Sequence, residues 1–278
     1  MILSAELAQQ PILVLGATGT TGRRVARRLR EAGLAVRAAS RSGEVPFDWS
    51  DRRTWEPTVT GAARMYLMAP HELPVDPAFV SYAVERGVRH LVLLSSRAIE
   101  AMGDERLMAA ERTVRASGAA WTIVRPSWFN QNFDEGVMRE AVLAGELALP
   151  VGDIRQAFVD ADDIAAVAAT ALAEDGHAGQ TYEVTGPRAL SFAEAVEIIG
   201  RASGRQIRFR GAAEDYLAAM EAFGLPREQT LREIEAFAAL RELGDEQPTG
   251  VVRRVTGREP KPFESYAAEA AARGAWRA

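Results

Sequence analysis

The sequence has no cysteine among its 278 residues. Disulfide bonds, thiol chemistry and zinc sites that use cysteine are therefore excluded. It also lacks any run of about 18 consecutive apolar residues, the length that crosses a bilayer, so we expect no membrane partner. The first ten residues carry neither a basic segment nor a long apolar stretch. This predicts the absence of a secretion signal and a cytoplasmic location.

Lysine is almost absent as well, because Lys261 is the one lysine among 33 basic residues. Many reductases use a Tyr-x-x-x-Lys pair, in which the tyrosine protonates an alkoxide and the lysine lowers the tyrosine's pKa. The residue four before Lys261 is Gly257, so this chain cannot form the pair. The simple carbonyl-reductase mechanism is disfavoured, and the sequence identifies no catalytic residue.

The bulk composition indicates an ordinary globular protein. Hydrophobic residues make up 47%, charged residues 26%, and the net charge is −5, so we expect no nucleic-acid partner. Asp160, Asp162 and Asp163 cluster without nearby histidines. We interpret them as caps of a helix start and predict no metal site. A small-molecule substrate and a monomer or homodimer are expected.

Short apolar runs alternate with helical spacing through the first half of the chain. Strands are predicted at 12–15, 34–39, 64–68, 90–94 and 121–124, with helices between them. This order predicts an α/β fold: a Rossmann-type doubly wound parallel sheet with a smaller, mostly helical C-terminal substrate lobe. The nucleotide-binding domain would span 1–128, completed by about 158–186, and the lobe would comprise 129–157 and 187–278.

The pattern changes after the fifth strand. The spacing predicts helices over 129–143, 164–172, 192–202, 212–223 and 227–243, with short strands at 158–160 and 181–184.

A glycine-rich turn follows the first strand. Gly16 permits a sharp turn, Gly19 lets the backbone approach a pyrophosphate, and Gly22 lets the next helix pack closely. Amide groups at the start of a helix bind phosphate, aided by the helix dipole. The same turn offers three hydroxyl groups, those of Thr18, Thr20 and Thr21. The strand–turn–helix context predicts a dinucleotide site rather than a turn without a ligand.

The end of the second strand indicates which dinucleotide binds. An NAD-preferring domain carries Asp or Glu there, but this chain has Ser40-Arg41. Arg41 suits a 2′-phosphate, so we predict NADP(H), with Arg37 as a second candidate; an exposed arginine in a turn is the alternative. Asp48 and Trp49 would follow on the adenine side, where Trp49 either stacks or belongs to the core.

The carboxyl ends of the later strands supply the remaining candidates, since ligands bind at that edge. The additional residues predicted to bind cofactor are Met68, Ala69, Pro70 and Ser95. The residues predicted to contact substrate are His71, Ser96, Trp128, Phe129, Asn132 and Tyr216. A surface-loop role for the histidine and core packing for the aromatic residues remain open alternatives.

Three motifs carry a family resemblance over nearly the whole chain. They are Gly-Ala-Thr-Gly-x-x-Gly with Arg41, Thr122-Ile-Val-Arg-Pro126 with Phe129 and Asn132, and Phe158-Val-Asp160-x-x-Asp163-Ile164. They resemble the NmrA-like branch of atypical short-chain dehydrogenases. Four further motifs resemble the ergot-alkaloid subgroup (festuclavine and agroclavine dehydrogenases) and its bacterial relatives: Phe47-Asp-Trp49, Thr54-Trp55, Tyr66-Leu-x-Ala-Pro70 and Thr256-Gly-Arg-x-Pro260.

The resemblance implies a reductase that delivers hydride from NADPH to a cyclic iminium ion without a tyrosine–lysine pair. An iminium already carries its charge, so hydride addition gives a neutral amine and no proton need be delivered. The chain departs from the fungal pattern at Thr20, where those enzymes often carry lysine.

Our leading hypothesis is an NADP(H)-dependent reductase of a small cyclic imine, iminium or conjugated acceptor, in secondary metabolism. An NAD(P)H:quinone oxidoreductase of the same branch, a non-catalytic NADP-sensing regulator and an enzyme of cyclisation or coupling are the alternatives. An open cavity beside the nicotinamide would favour an enzyme, whereas a cavity filled by side chains would favour the sensor.

Overall fold

The fold is derived from a computed structural model, which describes residues 10–69 and 73–277. Residues 1–9, on which the expectation about a secretion signal rests, lie outside this range. So do two predicted site residues, Pro70 and His71.

The strands of the described chain are β1 Ile12–Leu15, β2 Val36–Ser40, β3 Val45–Pro46, β4 Arg64–Met68, β5 His90–Leu94, β6 Ala120–Pro126, β7 Glu146–Ala148, β8 Arg155–Gln156, β9 Gln180–Val184, β10 Leu190–Ser191 and β11 Arg208–Arg210. Seven of them are parallel and form the central sheet, in the order β3-β2-β1-β4-β5-β6-β9. The predicted Rossmann-type fold is confirmed.

The helices of the described chain are α1 Gly22–Glu31, α2 Trp55–Val59, α3 Pro77–Glu85, α4 Glu105–Arg115, α5 Arg139–Ala144, α6 Ala161–Ala173, α7 Phe192–Ser203, α8 Ala213–Ala222, α9 Arg227–Leu243, α10 Val251–Thr256 and α11 Phe263–Ala272. Helices α1, α6 and α10 cover one face of the central sheet, and α2, α3 and α4 cover the other. Successive residues of a strand point to opposite faces, so Val14 packs with α1 and α6, and Leu13 with α2 and α3. None of the described helices is long and apolar enough to cross a bilayer.

A third apolar cluster lies beside the sheet and is built mainly by helices α5, α7, α8, α9 and α11. Its largest fully buried side chains include Phe133, Phe158, Phe192 and Tyr266. Two small two-stranded sheets, β8 with β10 and β7 with β11, frame it. The division of the chain at residue 128 stays a prediction.

The segment predicted as a helix over 129–143 is largely irregular. It forms a 3-10 turn at Asn130–Phe133 and a loop before α5. Long-range hydrogen bonds hold it: the Gln131 side chain accepts from the Ala161 amide at 2.7 Å, and Arg24 donates to Glu135 at 2.8 Å. Helical spacing in sequence does not reveal such bonds.

The expected strand at 158–160 makes a single bridge, between Phe129 and Val159. Asp160 then caps α6 by accepting from the Asp162 amide at 2.9 Å, so the interpretation of this aspartate as a cap is confirmed.

Candidate functional site

Two clefts open where the parallel strands end. The first, of about 640 Å³, lies at the ends of β1, β2 and β4; we call it the glycine cleft. It is lined by Gly16, Thr18, Gly19, Ser40, Arg41, Ser42, Phe47, Asp48, Trp49, Met68 and Leu73. The second, of about 610 Å³, lies beyond β5 and β6; we call it the aromatic cleft. It is lined by Ser96, Arg97, Ala98, Ile99, Met102, Asp104, Arg106, Leu107, Pro126, Ser127, Trp128, Phe129, Asn132, Gln156, Leu240 and Glu246.

The glycine turn brings the start of α1 against the end of β1. Gly16 has a φ of +64°, in the left-handed region that favours glycine. A Cβ on Gly22 would lie 2.2 Å from the carbonyl oxygen of Gly16, so a side chain there is excluded without a backbone shift. This close approach places the helix start at the cleft. The backbone therefore fits the pyrophosphate of a dinucleotide.

The three threonines of the turn have different surroundings. Thr18 lines the cleft. Thr21 is buried, and its hydroxyl accepts a hydrogen bond from Tyr66 at 2.9 Å. The Thr20 carbonyl accepts from Arg24 at 2.8 Å. A role for Thr20 and Thr21 as phosphate donors stays a prediction.

The end of β2 presents Ser40 and Arg41 to the cleft. The Ser40 hydroxyl is buried and has no hydrogen-bond partner among the described residues, while Arg41 is exposed. Arg37 does not join them, because it donates to the carbonyls of Thr58 and Thr60 at 2.9 and 2.5 Å. A guanidinium and a hydroxyl without a partner at this place fit a 2′-phosphate.

Asp48 and Trp49 form the far wall of the glycine cleft. Hydrogen bonds from the Ser50 hydroxyl and amide, at 2.7 and 2.9 Å, lower the pKa of the Asp48 carboxyl. Trp49 packs against Phe47 and Phe79 with ring centroids 5.1 Å apart and also lines the cleft. It therefore belongs to both the core and the cleft.

Of the other described residues predicted to bind cofactor, one lines the glycine cleft and two contact interior residues. Met68 lines the glycine cleft, whereas Ala69 packs against the core. Ser95 is buried and donates to Glu111 at 2.7 Å. Burial tends to raise the pKa of Glu111, but hydrogen bonds from Arg125 and Ser95 outweigh it and leave that pKa below its ordinary value.

Four predicted substrate residues line the aromatic cleft, namely Ser96, Trp128, Phe129 and Asn132. The indole of Trp128 packs edge-on against Phe192 at 5.3 Å and stacks on Phe237 at 6.2 Å. Tyr216 is placed elsewhere: it is buried between α8 and α9 and donates to Glu233 at 2.7 Å. Its distance from the cleft follows from the helix pairing, which the sequence pattern does not reveal.

Sequence reasoning missed the polar groups of the aromatic cleft. One oxygen of Glu246 accepts from the Ser127 hydroxyl at 2.5 Å and from the Ala157 amide at 2.8 Å. Arg97 lies 3.4 Å from both Glu246 and Glu183. Arg97 directly follows the β5 edge, which is a usable sequence signal. Glu246 is 119 residues away from Ser127, and no local pattern marks it.

Comparison with known proteins shows relatives along almost the full length. The chain is 35% identical over 280 residues to an uncharacterized oxidoreductase of Bacillus subtilis, covering 96% of this chain and 97% of the relative. It is 34% identical over 291 residues to the NAD(P)H azoreductase of Xenophilus azovorans, covering 95% and 99%. It is 26% identical over 287 residues to the agroclavine dehydrogenase of Claviceps fusiformis, covering 93% and 96%.

Solved structures show the same fold. An NADPH-dependent quinone oxidoreductase of Escherichia coli, complexed with NADPH, has a TM-score of 0.72 at 20% identity, covering 93% of this chain and 99% of that one. NmrA, a negative transcriptional regulator in complex with NADP, has a TM-score of 0.71 at 18% identity, covering 96% and 97%. Residues 8–267 match the model of the NmrA-like family, so the predicted resemblance is confirmed and the chain belongs to the NmrA-like family.

Proposed function

We propose that this chain is an NADP(H)-dependent oxidoreductase that reduces a small, flat, conjugated acceptor, either a cyclic imine or iminium ion or a quinone. One observation carries the proposal: the glycine cleft and the aromatic cleft lie side by side on the same edge of the sheet. A dinucleotide in the first cleft can extend its nicotinamide toward the second. The names of two relatives support the oxidoreductase class, and one of them, the NAD(P)H azoreductase, also supports the cofactor.

Each cleft supplies a different part of the reaction. NADPH, when bound, supplies a hydride. The glycine turn and Arg41 hold its phosphates, while Trp128 and Phe129 offer aromatic faces to a planar acceptor. Apolar side chains such as Leu240 also line the aromatic cleft and offer contacts to the apolar part of the acceptor. Catalysis then rests on holding donor and acceptor carbons about 3–3.5 Å apart.

The missing tyrosine–lysine pair limits the acceptor. A simple ketone needs a proton as its alkoxide forms, whereas an iminium becomes neutral and a quinone delocalises its charge. The names of the relatives agree with this choice, since azo compounds and quinones are conjugated acceptors. The agroclavine dehydrogenase relative supports a place in secondary metabolism.

The NADP-sensing alternative is disfavoured by the open aromatic cleft. Its volume of about 610 Å³ is within the range of small-molecule sites, about 300–1,000 Å³. A sensor without a substrate would have no need to keep such a space open.

The test is NADPH oxidation by the purified chain with a panel of 1,4-naphthoquinones, azo dyes and cyclic iminium salts. We expect turnover with at least one class. Trp128→Leu should lower kcat/KM at least tenfold, whereas Trp121→Leu, on the far end of β6, should leave it within twofold. NADPH binding without oxidation by any acceptor would reject the reductase and favour the sensor.

A further inference from the structure

We propose that Arg97 is an anion-binding residue of the aromatic cleft, and that it selects acceptors whose oxygen gains negative charge during reduction. The preferred substrate is then a quinone or another conjugated carbonyl compound rather than an iminium cation. This inference rests on the proposed reductase function and narrows its substrate class.

The backbone places Arg97 where the acceptor must lie. Its amide donates to the carbonyl of Pro126 at 3.1 Å and so ties the end of β5 to the end of β6. Ser96 and Ser127, on either side of this bond, also line the aromatic cleft. The Arg97 side chain therefore starts from the wall that the two strand ends share.

The guanidinium is held but incompletely satisfied. Its Nε lies 3.4 Å from Glu246 and one terminal nitrogen lies 3.4 Å from Glu183, both long for a charged hydrogen bond. The other terminal nitrogen, Nη1, is buried and has no hydrogen-bond partner among the described residues. The two carboxylates thus orient the group and leave donor capacity for a substrate oxygen.

The Glu246 carboxylate interacts with other groups besides Arg97. Its other oxygen accepts from the Ser127 hydroxyl and the Ala157 amide, at 2.5 and 2.8 Å. Glu183 is about half exposed and is screened by solvent. The remaining charges of the lining, Asp104 and Arg106, pair with one another at 3.5 Å. Arg97 is therefore the cation best placed to act on an acceptor.

Two further residues of the aromatic cleft support a binding role. Ala98 has a φ of +57°, the one non-glycine residue with positive φ in the described chain, and such strain concentrates at functional sites. Gln156 is 1% exposed, and its Oε1 has no hydrogen-bond partner among the described residues. A buried acceptor that lines the same cleft as a cation suits a product that carries an O–H group.

The electron balance explains the selectivity. Reduction adds a hydride, which is one proton with two electrons, to a carbon of the conjugated system, and the π pair of the carbonyl moves onto its oxygen. The resulting oxyanion accepts hydrogen bonds from the guanidinium and later takes a proton from solvent. NADPH is the reductant. An iminium acceptor instead brings a positive charge toward the Arg97 guanidinium, and like charges repel each other.

Binding measurements test the inference without turnover. Calorimetry would compare 2-hydroxy-1,4-naphthoquinone, an anion at neutral pH, with the N-methylquinolinium cation. We expect Arg97→Gln to weaken anion binding at least tenfold and to leave cation binding equal or tighter. Arg112→Gln, an exposed arginine of α4, is the matched control. An unchanged anion affinity, or an equal loss of NADP⁺ affinity, would overturn the proposal.

Turnover gives the second arm. The ratio of kcat/KM for menadione to that for N-methyl-3,4-dihydroisoquinolinium should fall at least tenfold in Arg97→Gln and recover partly in Arg97→Lys. A wild-type preference for the iminium, or equal loss for both acceptors, would reject the role of Arg97. A wild-type protein that oxidises NADPH with neither acceptor rejects the reductase itself, while the calorimetry still decides whether Arg97 binds anions.

Discussion

The two ends of the parallel sheet use their polar residues in opposite ways. At the amino end, a cavity of about 190 Å³ lies beside Arg64, His90 and His177. At the carboxyl end, the glycine and aromatic clefts measure about 640 and 610 Å³. The same strands, with the same buried cores, support both ends.

Hydrogen bonds close the amino end. His90 bonds to the Thr122 hydroxyl at 2.9 Å, which donates to the carbonyl of His177 at 2.7 Å, and the His177 ring contacts the Tyr182 hydroxyl at 2.8 Å. Arg64 donates to the carbonyl of Leu172 at 2.5 Å. These polar groups bind one another and stabilise the fold.

The carboxyl end leaves buried atoms without such partners. Among the described residues, Ser40 Oγ, Arg97 Nη1 and Gln156 Oε1 make no hydrogen bond. Because an unmade hydrogen bond at a buried group costs about 1–3 kcal/mol, this end gives up stability that a ligand can restore. The contrast predicts that substitutions at the two ends affect different measurements.

The largest effect is expected at Gly22. Gly22→Ala forces a Cβ against the Gly16 backbone, so unfolding free energy should fall by about 3 kcal/mol and NADPH affinity more than tenfold. Urea unfolding and NADPH fluorescence titration measure the two. Gly33→Ala, at the other end of α1 with open space around it, should cost about 1 kcal/mol and keep NADPH affinity. An equal loss of NADPH affinity in Gly22→Ala and Gly33→Ala would contradict the role of the glycine turn in binding the pyrophosphate.

His90 should dominate the pH response of the amino end. Burial, and next the charge of Arg64, lower the pKa of His90 to about 4 in the folded protein. Between pH 6.5 and pH 4 the His90 imidazole is protonated in the unfolded chain but neutral in the folded chain. The free energy of unfolding therefore falls by about 3 kcal/mol as the pH decreases through this window. Urea unfolding midpoints measured at both ends of this pH window should show a smaller loss of stability in His90→Gln than in the wild-type protein. An identical loss in the variant would refute the assignment.

Arg41 should affect the carboxyl end without affecting stability. Arg41→Ala removes the proposed partner of the 2′-phosphate, and such charged hydrogen bonds are worth about 1.5–3 kcal/mol. NADPH affinity should fall about 10–100-fold while NADH affinity changes less than threefold, as measured by calorimetry. Arg53→Ala, which is 91% exposed, serves as the control. An equal loss of affinity for NADPH and NADH would mean that Arg41 does not bind the 2′-phosphate.

Tyr216 should give the smallest effect. Tyr216→Phe removes one hydrogen bond to Glu233 between α8 and α9, which is worth about 1 kcal/mol. Thermal unfolding should register that loss, while kcat/KM should change less than twofold. A tenfold drop in kcat/KM would instead support the prediction that Tyr216 contacts the substrate.

The predictable part of the site consists of residues that follow a strand end closely in the sequence. Gly16, Arg41 and Trp49 follow strand ends, and the alternation of strands and helices along the chain is enough to predict that they share one edge of the sheet. The helix expected over 129–143 was wrong, because Gln131 and Glu135 bond to α6 and α1 instead of continuing a helix. Spacing also did not separate Ser95, which faces α4, from Ser96, which faces the cleft.

The sequence by itself determined the α/β fold, the glycine turn and the impossibility of a tyrosine–lysine pair. These depend on hydrophobic period, on glycine's freedom at tight turns and on simple residue counts. Only the tertiary structure decided that Arg97, Glu246 and Ser127 meet in one cleft and that Tyr216 does not join them. Glu246 is more than a hundred positions away from the other two residues, and these contacts arise from the packing of helices and strands rather than from any local pattern.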